Sequence, residues 1–225
     1  MKFFVCSRLK KDFISKEIKS HGFKIDRQKP DFVFVYGGDG TILEAERKYP
    51  GVLKIPIRTH PSKHAEKFYT PKQLKKIFKS IKTGKYKIKK FEKVECSFKG
   101  RKLTGLNEIQ VHNAKPYRPL RFSLNVDGKI IPDLIGDGVI ISTPYGSTAY
   151  YSVIGGKPFS KGLMLGFNNV IERKKPVRIK KYAKLRVIRE TGWIISDNNP
   201  KMLKIKPNEQ VLIKKSKDTA RFVII

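Results

Sequence analysis

The segment from Asp31 to Tyr49 constrains the fold of this chain more than any other stretch of its sequence. Its first six residues, Asp-Phe-Val-Phe-Val-Tyr, are almost wholly apolar and are typical of a strand buried on both faces. The turn Gly37-Gly38-Asp39-Gly40-Thr41 follows directly, and a helical pattern runs from Thr41 to Tyr49. This order of strand, glycine turn and helix predicts an α/β unit built on a parallel sheet.

The neighbouring segments extend this alternation of strands and helices over the first third of the chain. Further strands are predicted at Lys2 to Ser7 and at Val52 to Ile57. Helices are predicted at Asp12 to Gly22 and at Pro71 to Thr83, the second of which is amphipathic and decorated with lysines. Since Gly84 is a suitable stop for that helix, we expect an α/β domain over residues 1–84.

After Gly84 the sequence changes to short segments rich in β-branched and aromatic residues, separated by glycine, proline and asparagine. The predicted strands are Tyr86 to Phe98, Arg101 to His112, Leu120 to Val126, Lys129 to Leu134, Val139 to Ser142, Leu185 to Ile195 and Gln210 to Ile225. Residues 85–225 should therefore form a β-rich domain. The C-terminal strands either belong to it or return to the first domain.

The glycine turn has the composition of a phosphate-binding site. Gly37, Gly38 and Gly40 let the backbone approach a phosphate closely, Thr41 can cap the helix, and the first-turn N–H groups attract anions. Asp39 is unexpected in an anion site unless it binds Mg²⁺ or orients a nucleophilic hydroxyl. The segment matches neither the Walker pattern nor G-x-G-x-x-G, and a tight structural Asp-Gly turn is the alternative.

Two later segments carry polar residues suited to a nucleotide. In Leu106-Asn107-Glu108-Ile109, the amide can pair with an adenine edge and the carboxylate can accept from ribose hydroxyls. The block from Asp137 to Tyr150, Asp-Gly-Val-Ile-Ile-Ser-Thr-Pro-Tyr-Gly-Ser-Thr-Ala-Tyr, predicts a strand, a glycine turn and a helix start. There the hydroxyls of Ser147 and Thr148 can hold polar groups, and Tyr150 can stack on a base.

In this order, the three segments resemble the nucleotide-binding motifs of the NAD kinase family. Gly-Gly-Asp-Gly-Thr alone is shared with diacylglycerol and sphingoid lipid kinases, but Asn107-Glu108 and the Ser-Thr-Ala-Tyr block separate the groups. The resemblance implies a Rossmann-like, NAD kinase-type α/β domain followed by a β-rich domain. It also implies transfer of a phosphoryl group from ATP or polyphosphate to the adenosine-ribose 2′-hydroxyl of NAD.

The resemblance assigns roles to individual positions. Asp39 becomes the catalytic carboxylate that activates or orients the 2′-hydroxyl, and Gly37, Gly38, Gly40 and Thr41 become the phosphate-binding set. The implied NAD-binding residues are Gly38, Asp39, Gly40, Phe68, Asn107, Glu108, Asp137, Ser147, Thr148, Ala149 and Tyr150. Mg²⁺ or another divalent cation would arrive with ATP, with no separate protein metal site, and a homodimer or homotetramer is expected.

The chain departs from the family pattern after its third strand. The family has a glycine-rich Gly-x-x-Gly-Phe segment, whereas residues 58–69 of this chain contain no glycine, and Phe68 is the candidate for the family phenylalanine. His60 and His64 are four residues apart, but Pro61 disfavours the helix that would make them metal ligands. Asp197 stands where the family has a late Asp-Gly or Asp-His after a strand.

Composition narrows the class of protein. With two distant cysteines and no apolar run near the ~18 residues of a membrane span, we expect a cytoplasmic protein without disulfides or a membrane anchor. The 50 basic and 19 acidic residues give a net charge of +31, which motivates one alternative, a nucleic-acid-binding protein. No recognition helix, RNA-binding aromatic motif or zinc finger accompanies that charge. A lipid kinase is the enzymatic alternative.

Overall fold

The computed structural model describes residues 1–58 and 68–225 and divides into two compact units. The first unit comprises Met1–Phe91 and Thr219–Ile225, and the second comprises Glu92–Asp218. The sequence places the boundary near Gly84, whereas the units divide between Phe91 and Glu92. Among the described residues, no helix is long and apolar enough to span a bilayer.

The first unit is a parallel sheet with helices. Its strands are β1 (Lys2–Cys6), β2 (Lys24–Ile25), β3 (Phe32–Tyr36), β4 (Leu53–Ile57) and the end of β16 (Gln210–Ile224). They lie in the order β2-β1-β3-β4-β16, and every neighbouring pair in this unit is parallel. The helices are α1 (Asp12–Ser20), α2 (Asp39–Lys48) and α3 (Leu74–Lys82), with a 3₁₀ turn at Pro71–Gln73 before α3.

Strand β3 is covered on both faces, as its apolar sequence predicts. Its first four residues are buried. Phe32 and Phe34 join a cluster with residues of α1 and α3, while α2 contacts β3 and β4. Because β3 is held from both sides, the turn that follows it has a fixed starting point.

The second unit is almost wholly β-structure. Its strands are the second part of β5 (Lys87–Phe98), which begins in the first unit, β6 (Arg101–Gly105), β7 (Glu108–Asn113), β8 (Leu120–Val126), β9 (Lys129–Gly136), β10 (Gly138–Ser142), β11 (Leu163–Asn168), β12 (Val177–Ile179), β13 (Tyr182–Arg189), β14 (Gly192–Ser196), β15 (Leu203–Ile205) and the first part of β16. A short helix, α4 (Tyr150–Val153), follows a 3₁₀ turn at Gly146–Thr148. The chain is thus a mixed α/β protein with a β-rich C-terminal portion.

Two antiparallel layers enclose the core of the second unit. One is a six-stranded sheet in the order β12-β11-β10-β7-β14-β15. In the other layer β16, β13, β8 and β9 are consecutive, and β5 pairs with β6 and β16. Apolar side chains from both layers form one buried cluster that includes Val111, Phe122, Ile141 and Leu185.

Two strands predicted as continuous are interrupted. The segment from Arg101 to His112 forms β6 and β7, because the backbone amides of residues 106–108 turn to bond with a side chain instead of a neighbouring strand. The segment from Leu185 to Ile195 contributes to β13 and β14, which lie in different sheets. The break between them includes Glu190, whose φ of +67° ends the extended conformation.

Candidate active site

The glycine turn joins the carboxyl end of β3 to the first turn of α2. Gly37 is buried and its N–H donates to the Ile57 carbonyl at 3.1 Å, so this amide serves the sheet and is not open to a phosphate. A Cβ atom at Gly37 would lie 2.5 Å from the Thr41 hydroxyl, which explains the need for glycine. Gly38, Asp39 and Gly40 are exposed, and the space around Gly38 is open.

The expected helix cap at Thr41 is wrong. Helix α2 begins at Asp39, Gly38 is its cap residue, and no side chain caps it. Thr41 lies within the first turn, where its N–H bonds to the Gly38 carbonyl at 3.0 Å. Asp39 is therefore the acidic residue of the first turn, where the helix dipole favours negative charge.

Asp39 is paired with an arginine that follows β4. Arg58 Nη2 donates to Asp39 Oδ1 at 2.6 Å. The Arg58 guanidinium carbon lies 4.2 Å from the centre of the Phe68 ring, so the cation is stacked on an aromatic face. The side chain of Asp39 is 59% exposed and that of Arg58 only 10%, which leaves the carboxylate accessible while the guanidinium is covered.

In the second unit, Asp197 holds the turn that presents Asn107 and Glu108. Its carboxylate accepts the backbone N–H groups of Leu106, Asn107 and Glu108 at 2.7, 2.8 and 3.1 Å. Burial raises the pKa of Asp197, while the three donors act in the opposite direction. Asp197 thus anchors this turn, a role that its sequence position alone does not reveal.

Glu108 is buried and lacks full hydrogen bonding. Its side chain contacts Gln110 Nε2 through Oε1 at 3.5 Å, and Oε2 has no hydrogen-bond partner among the described residues. Burial, followed by the nearby Asp197 carboxylate, raises the pKa of Glu108 to about 8. We assign the negative charge of the pair to Asp197, because three N–H donors stabilise it there. Glu108 is then mostly protonated at pH 7, unlike the ionised carboxylate that the sequence leads one to expect.

The Thr-Pro-Tyr-Gly-Ser-Thr turn packs directly against the Asn107 turn. The Thr143 hydroxyl donates to the Leu106 carbonyl at 2.6 Å, and the Thr143 N–H donates to the Asn107 carbonyl at 2.8 Å. A Cβ atom at Gly146 would lie 2.3 Å from the Asn107 carbonyl oxygen, so no side chain fits there. Two segments that are far apart in sequence therefore pack into one polar cluster, in which Asn107, Glu108 and Ser147 are buried.

The helix start predicted at Ser147 and Thr148 is a 3₁₀ turn, and the α-helix begins after it. These residues lie in the 3₁₀ turn, Ala149 has ψ −134°, and α4 begins at Tyr150. The Ser147 hydroxyl donates to the Pro144 carbonyl at 2.8 Å, which stabilises the turn and leaves its lone pairs as acceptors. Thr148 is exposed and Tyr150 is 60% exposed, so both side chains are accessible.

Asp137 lies at the opposite end of β10 from this polar cluster. Gly138 pairs with His112 and Ser142 pairs with Glu108, so Asp137 is about 17 Å along the strand from Ser142. Its carboxylate accepts from Asn113 and Asn169 side chains at 3.2 and 2.7 Å. Within this unit, the structure brings Asn107 and Glu108 next to the 143–150 segment but does not bring Asp137 to them.

Among residues 1–58 and 68–225, no group of three His, Cys, Asp or Glu side chains is arranged to hold a metal ion. His60 and His64 lie outside the described residues. Mg²⁺ bound to ATP takes its ligands largely from phosphates and water, so a cluster of protein ligands is not required for it.

Comparison with known proteins identifies the family. The family model of the ATP-NAD kinase C-terminal domain matches residues 106–225. The chain is 30% identical over 210 residues to an NAD kinase of Clostridium perfringens, covering 88% of this chain and 76% of that protein. It is 26% identical over 217 residues to an NAD kinase of Thermoplasma acidophilum, covering 93% and 79%.

Solved structures show the same fold. The chain superposes on an NAD kinase from Archaeoglobus fulgidus in complex with ATP with a TM-score of 0.84 at 22% identity, covering 99% of this chain and 93% of that one. It superposes on the yeast NADH kinase complexed with NADH with a TM-score of 0.87 at 14% identity, covering 100% and 83%. Since a family model matches more than half of the sequence and a relative is 30% identical over most of its length, the chain belongs to the NAD kinase family.

Proposed function

We propose that this chain transfers the terminal phosphoryl group of ATP to the adenosine-ribose 2′-hydroxyl of NAD, producing NADP. The observation that carries the proposal is the exposed Asp39 carboxylate at the first turn of α2, directly after a glycine turn and a buried parallel strand. Ligands of open α/β sheets bind beyond the carboxyl ends of the strands, where Asp39 lies.

In this mechanism, Asp39 accepts the proton of the 2′-hydroxyl. The hydroxyl oxygen bonds to the γ-phosphorus, the bond from that phosphorus to the β,γ-bridging oxygen breaks, and the electron pair leaves with ADP. Mg²⁺, when bound with ATP, would neutralise charge on the phosphates. The exposed backbone at Gly38 would hold phosphate oxygens. The protein would supply little covalent chemistry, because phosphoryl transfer depends mainly on alignment of the groups and neutralisation of charge.

The second unit would bind the dinucleotide. Asn107 and Glu108 would contact the adenosine, with Ser147, Thr148, Ala149 and Tyr150 on the adjoining turn. Mostly protonated at neutral pH, Glu108 can both donate to and accept from a ribose hydroxyl. Asp137 and Phe68 are proposed as further contacts of NAD, on the basis of the family motif alone.

Some features of the proposal go beyond the fold and the family. They are a Rossmann-like character of the first unit, domains that correspond to residues 1–84 and 85–225, a homodimer or homotetramer, and a cytoplasmic location. Light scattering on the purified protein would determine its oligomeric state.

Incubation with NAD and MgATP, coupled to an NADP-specific dehydrogenase, tests the function. Parallel reactions with NADH as acceptor and with polyphosphate as donor determine the substrates. Phosphorylation of diacylglycerol micelles in place of NAD would favour the lipid-kinase alternative. Tight binding of duplex DNA, with affinity that falls steeply with salt and without any NADP formation, would favour a nucleic-acid-binding protein.

A further inference from the structure

We propose that Arg58 is a catalytic residue of this chain, a cation held beside Asp39 that contacts the phosphoryl group during its transfer. The proposal rests on the proposed function and deepens it. It concerns a position where the sequence departs from the glycine-rich segment of the family.

The backbone of Arg58 is fixed at the end of β4. Its N–H donates to the Tyr69 carbonyl at 2.8 Å, and the Tyr69 N–H donates to the Pro56 carbonyl at 3.0 Å. Strand β4 neighbours β3 in the parallel sheet, so Arg58 and the Gly37 turn lie at the same edge. The arginine is therefore presented from a rigid element, as a catalytic group requires.

The guanidinium retains hydrogen-bond donors beyond its contact with Asp39. Arg58 reaches Asp39 with one terminal nitrogen and one carboxylate oxygen, Oδ1, so the pair does not use the two-pronged geometry available to arginine. Its Nε is buried and has no hydrogen-bond partner among the described residues. Since a guanidinium carries five N–H donors, the contact to Asp39 leaves donors for a planar or tetrahedral oxyanion.

The proposed reaction changes the charges around Arg58 so that its guanidinium is attracted less to Asp39 and more to the phosphoryl group. When the 2′-hydroxyl gives its proton to Asp39, the carboxylate loses its negative charge and its attraction for Arg58 decreases. At the same step, negative charge is spread over the oxygens of the transferred phosphoryl group. The guanidinium then exchanges a neutral carboxyl group for an anion, while Phe68 keeps covering its other face.

Two other roles of Arg58 make different predictions. If it only shields Asp39, its removal should increase turnover. If it only stabilises the turn, its removal should lower the melting temperature and leave kcat unaltered. A phosphoryl-binding role predicts loss of kcat with little change in KM for NAD.

The test measures kcat, KM for NAD and ATP, and melting temperature for the wild type, Arg58→Met, Arg58→Ala and Arg58→Lys. We expect kcat of Arg58→Met to fall about 10³-fold, within the range known for arginines that contact a transferred phosphoryl group. KM for NAD should stay within about twofold, because a contact made only in the transition state changes kcat without changing ground-state binding. Added guanidinium at low millimolar concentration should restore Arg58→Ala at least about tenfold, because the missing group is a guanidinium that fits the same anion.

Arg121→Met is the matched control. Arg121 lies in β8 of the second unit and donates through Nε and Nη2 to the Asp133 carboxylate at 2.7 and 2.6 Å. This variant removes an arginine–carboxylate pair that belongs neither to the glycine turn nor to the strands beside it, and its kcat should equal that of the wild type. Arg58→Lys retains the positive charge but lacks the planar group with several donors, and we expect its kcat to fall at least about tenfold. This variant keeps the test valid if Arg58→Met folds poorly.

The proposal is overturned if kcat of the Arg58 variants stays within about threefold of the wild type, if it rises, or if only KM for NAD changes. Loss of activity without any rescue by guanidinium would also contradict it. These outcomes leave the proposed function intact, because the wild type still forms NADP. A wild type that forms no NADP rejects the proposed function and the role of Arg58 with it.

Discussion

The buried carboxyl group of Glu108 should make the protein less stable as the pH rises. A carboxyl whose pKa is raised on folding stabilises the native state fully below its unfolded pKa, and this contribution is lost as pH rises through the folded pKa. The pKa of Glu108 rises from 4.5 to about 8, so the loss extends over that interval. Replacing Glu108 with Gln keeps the shape of the side chain and removes the titration.

The magnitude follows from the shift. At 1.36 kcal/mol per pKa unit, a shift of about 3.5 units corresponds to about 5 kcal/mol once the group is fully ionised. Between pH 5.5 and 8.5, Glu108→Gln should therefore gain about 3 kcal/mol of unfolding free energy relative to the wild type. The side chain is 3% exposed, so little solvent screening reduces this figure.

Urea unfolding of both proteins at pH 5.5, 7.0 and 8.5 measures the effect. Titrations distant from Glu108 are shared by the two proteins, so the difference between their unfolding free energies reports Glu108 together with its coupled neighbour Asp197. Glu172→Gln is the matched control, because Glu172 has a 79% exposed side chain and pairs with Lys174. The difference in unfolding free energy between Glu172→Gln and the wild type should not change with pH over this range. If the difference in unfolding free energy between Glu108→Gln and the wild type changes by less than about 0.5 kcal/mol over the same pH range, the pKa of Glu108 is not raised by folding.

Three further changes test other parts of the site and its support. Asp39→Asn keeps the size of the side chain but removes a proton acceptor, so kcat should fall at least about 10²-fold at an unchanged melting temperature; normal turnover would remove Asp39 from the chemistry. Gly146→Ala places a Cβ 2.3 Å from the Asn107 carbonyl oxygen, so calorimetry should detect roughly 1–3 kcal/mol of lost stability together with weaker NAD binding. Unchanged stability and NAD binding would contradict the close packing at Gly146. Lys54→Met removes one member of the fully buried Lys54–Glu46 pair beneath α2 and should cost about 3–5 kcal/mol, whereas the double change with Glu46→Leu should recover most of it. Equal loss in the single and double variants would show that the Glu46 carboxylate, deprived of Lys54, is not what destabilises Lys54→Met.

Much of the first unit could be predicted from sequence because its elements are strongly patterned. The apolar run at β3 and the glycines after it specify a buried parallel strand and a turn, and both are present. The exact start of α2 could not be predicted, because the choice between Gly38 and Thr41 as cap depends on how the turn packs. Gly37 donates to Ile57 of the next strand, a contact between distant parts of the sequence.

The parts of the candidate site that sequence analysis missed depend on contacts over long separations. Asp197 anchors the turn at Asn107 and Glu108 from about ninety residues away, and no local pattern marks it for that role. Arg58 is conspicuous in sequence only as a residue in a segment that lacks the expected glycines. Its contact with Asp39 depends on β3 and β4 being neighbours, which follows from the sheet order.

The ionisation of Glu108 is equally invisible in sequence. A carboxylate next to an asparagine in a polar motif suggests a charged ribose acceptor. Burial removes its carboxyl group from water and a second carboxylate, Asp197, lies nearby, and these raise its pKa. The sequence identifies the residue, while the fold determines its protonation state.

The position of the new phosphate on the dinucleotide tests the proposed reaction most directly. The product of NAD, MgATP and the purified chain should be isolated and its phosphorus-31 NMR spectrum recorded with proton coupling. We expect one new phosphomonoester per molecule, coupled to the 2′ proton of the adenosine ribose and formed together with one equivalent of ADP. A phosphate on another hydroxyl, or consumption of ATP without phosphorylation of the dinucleotide, would contradict it.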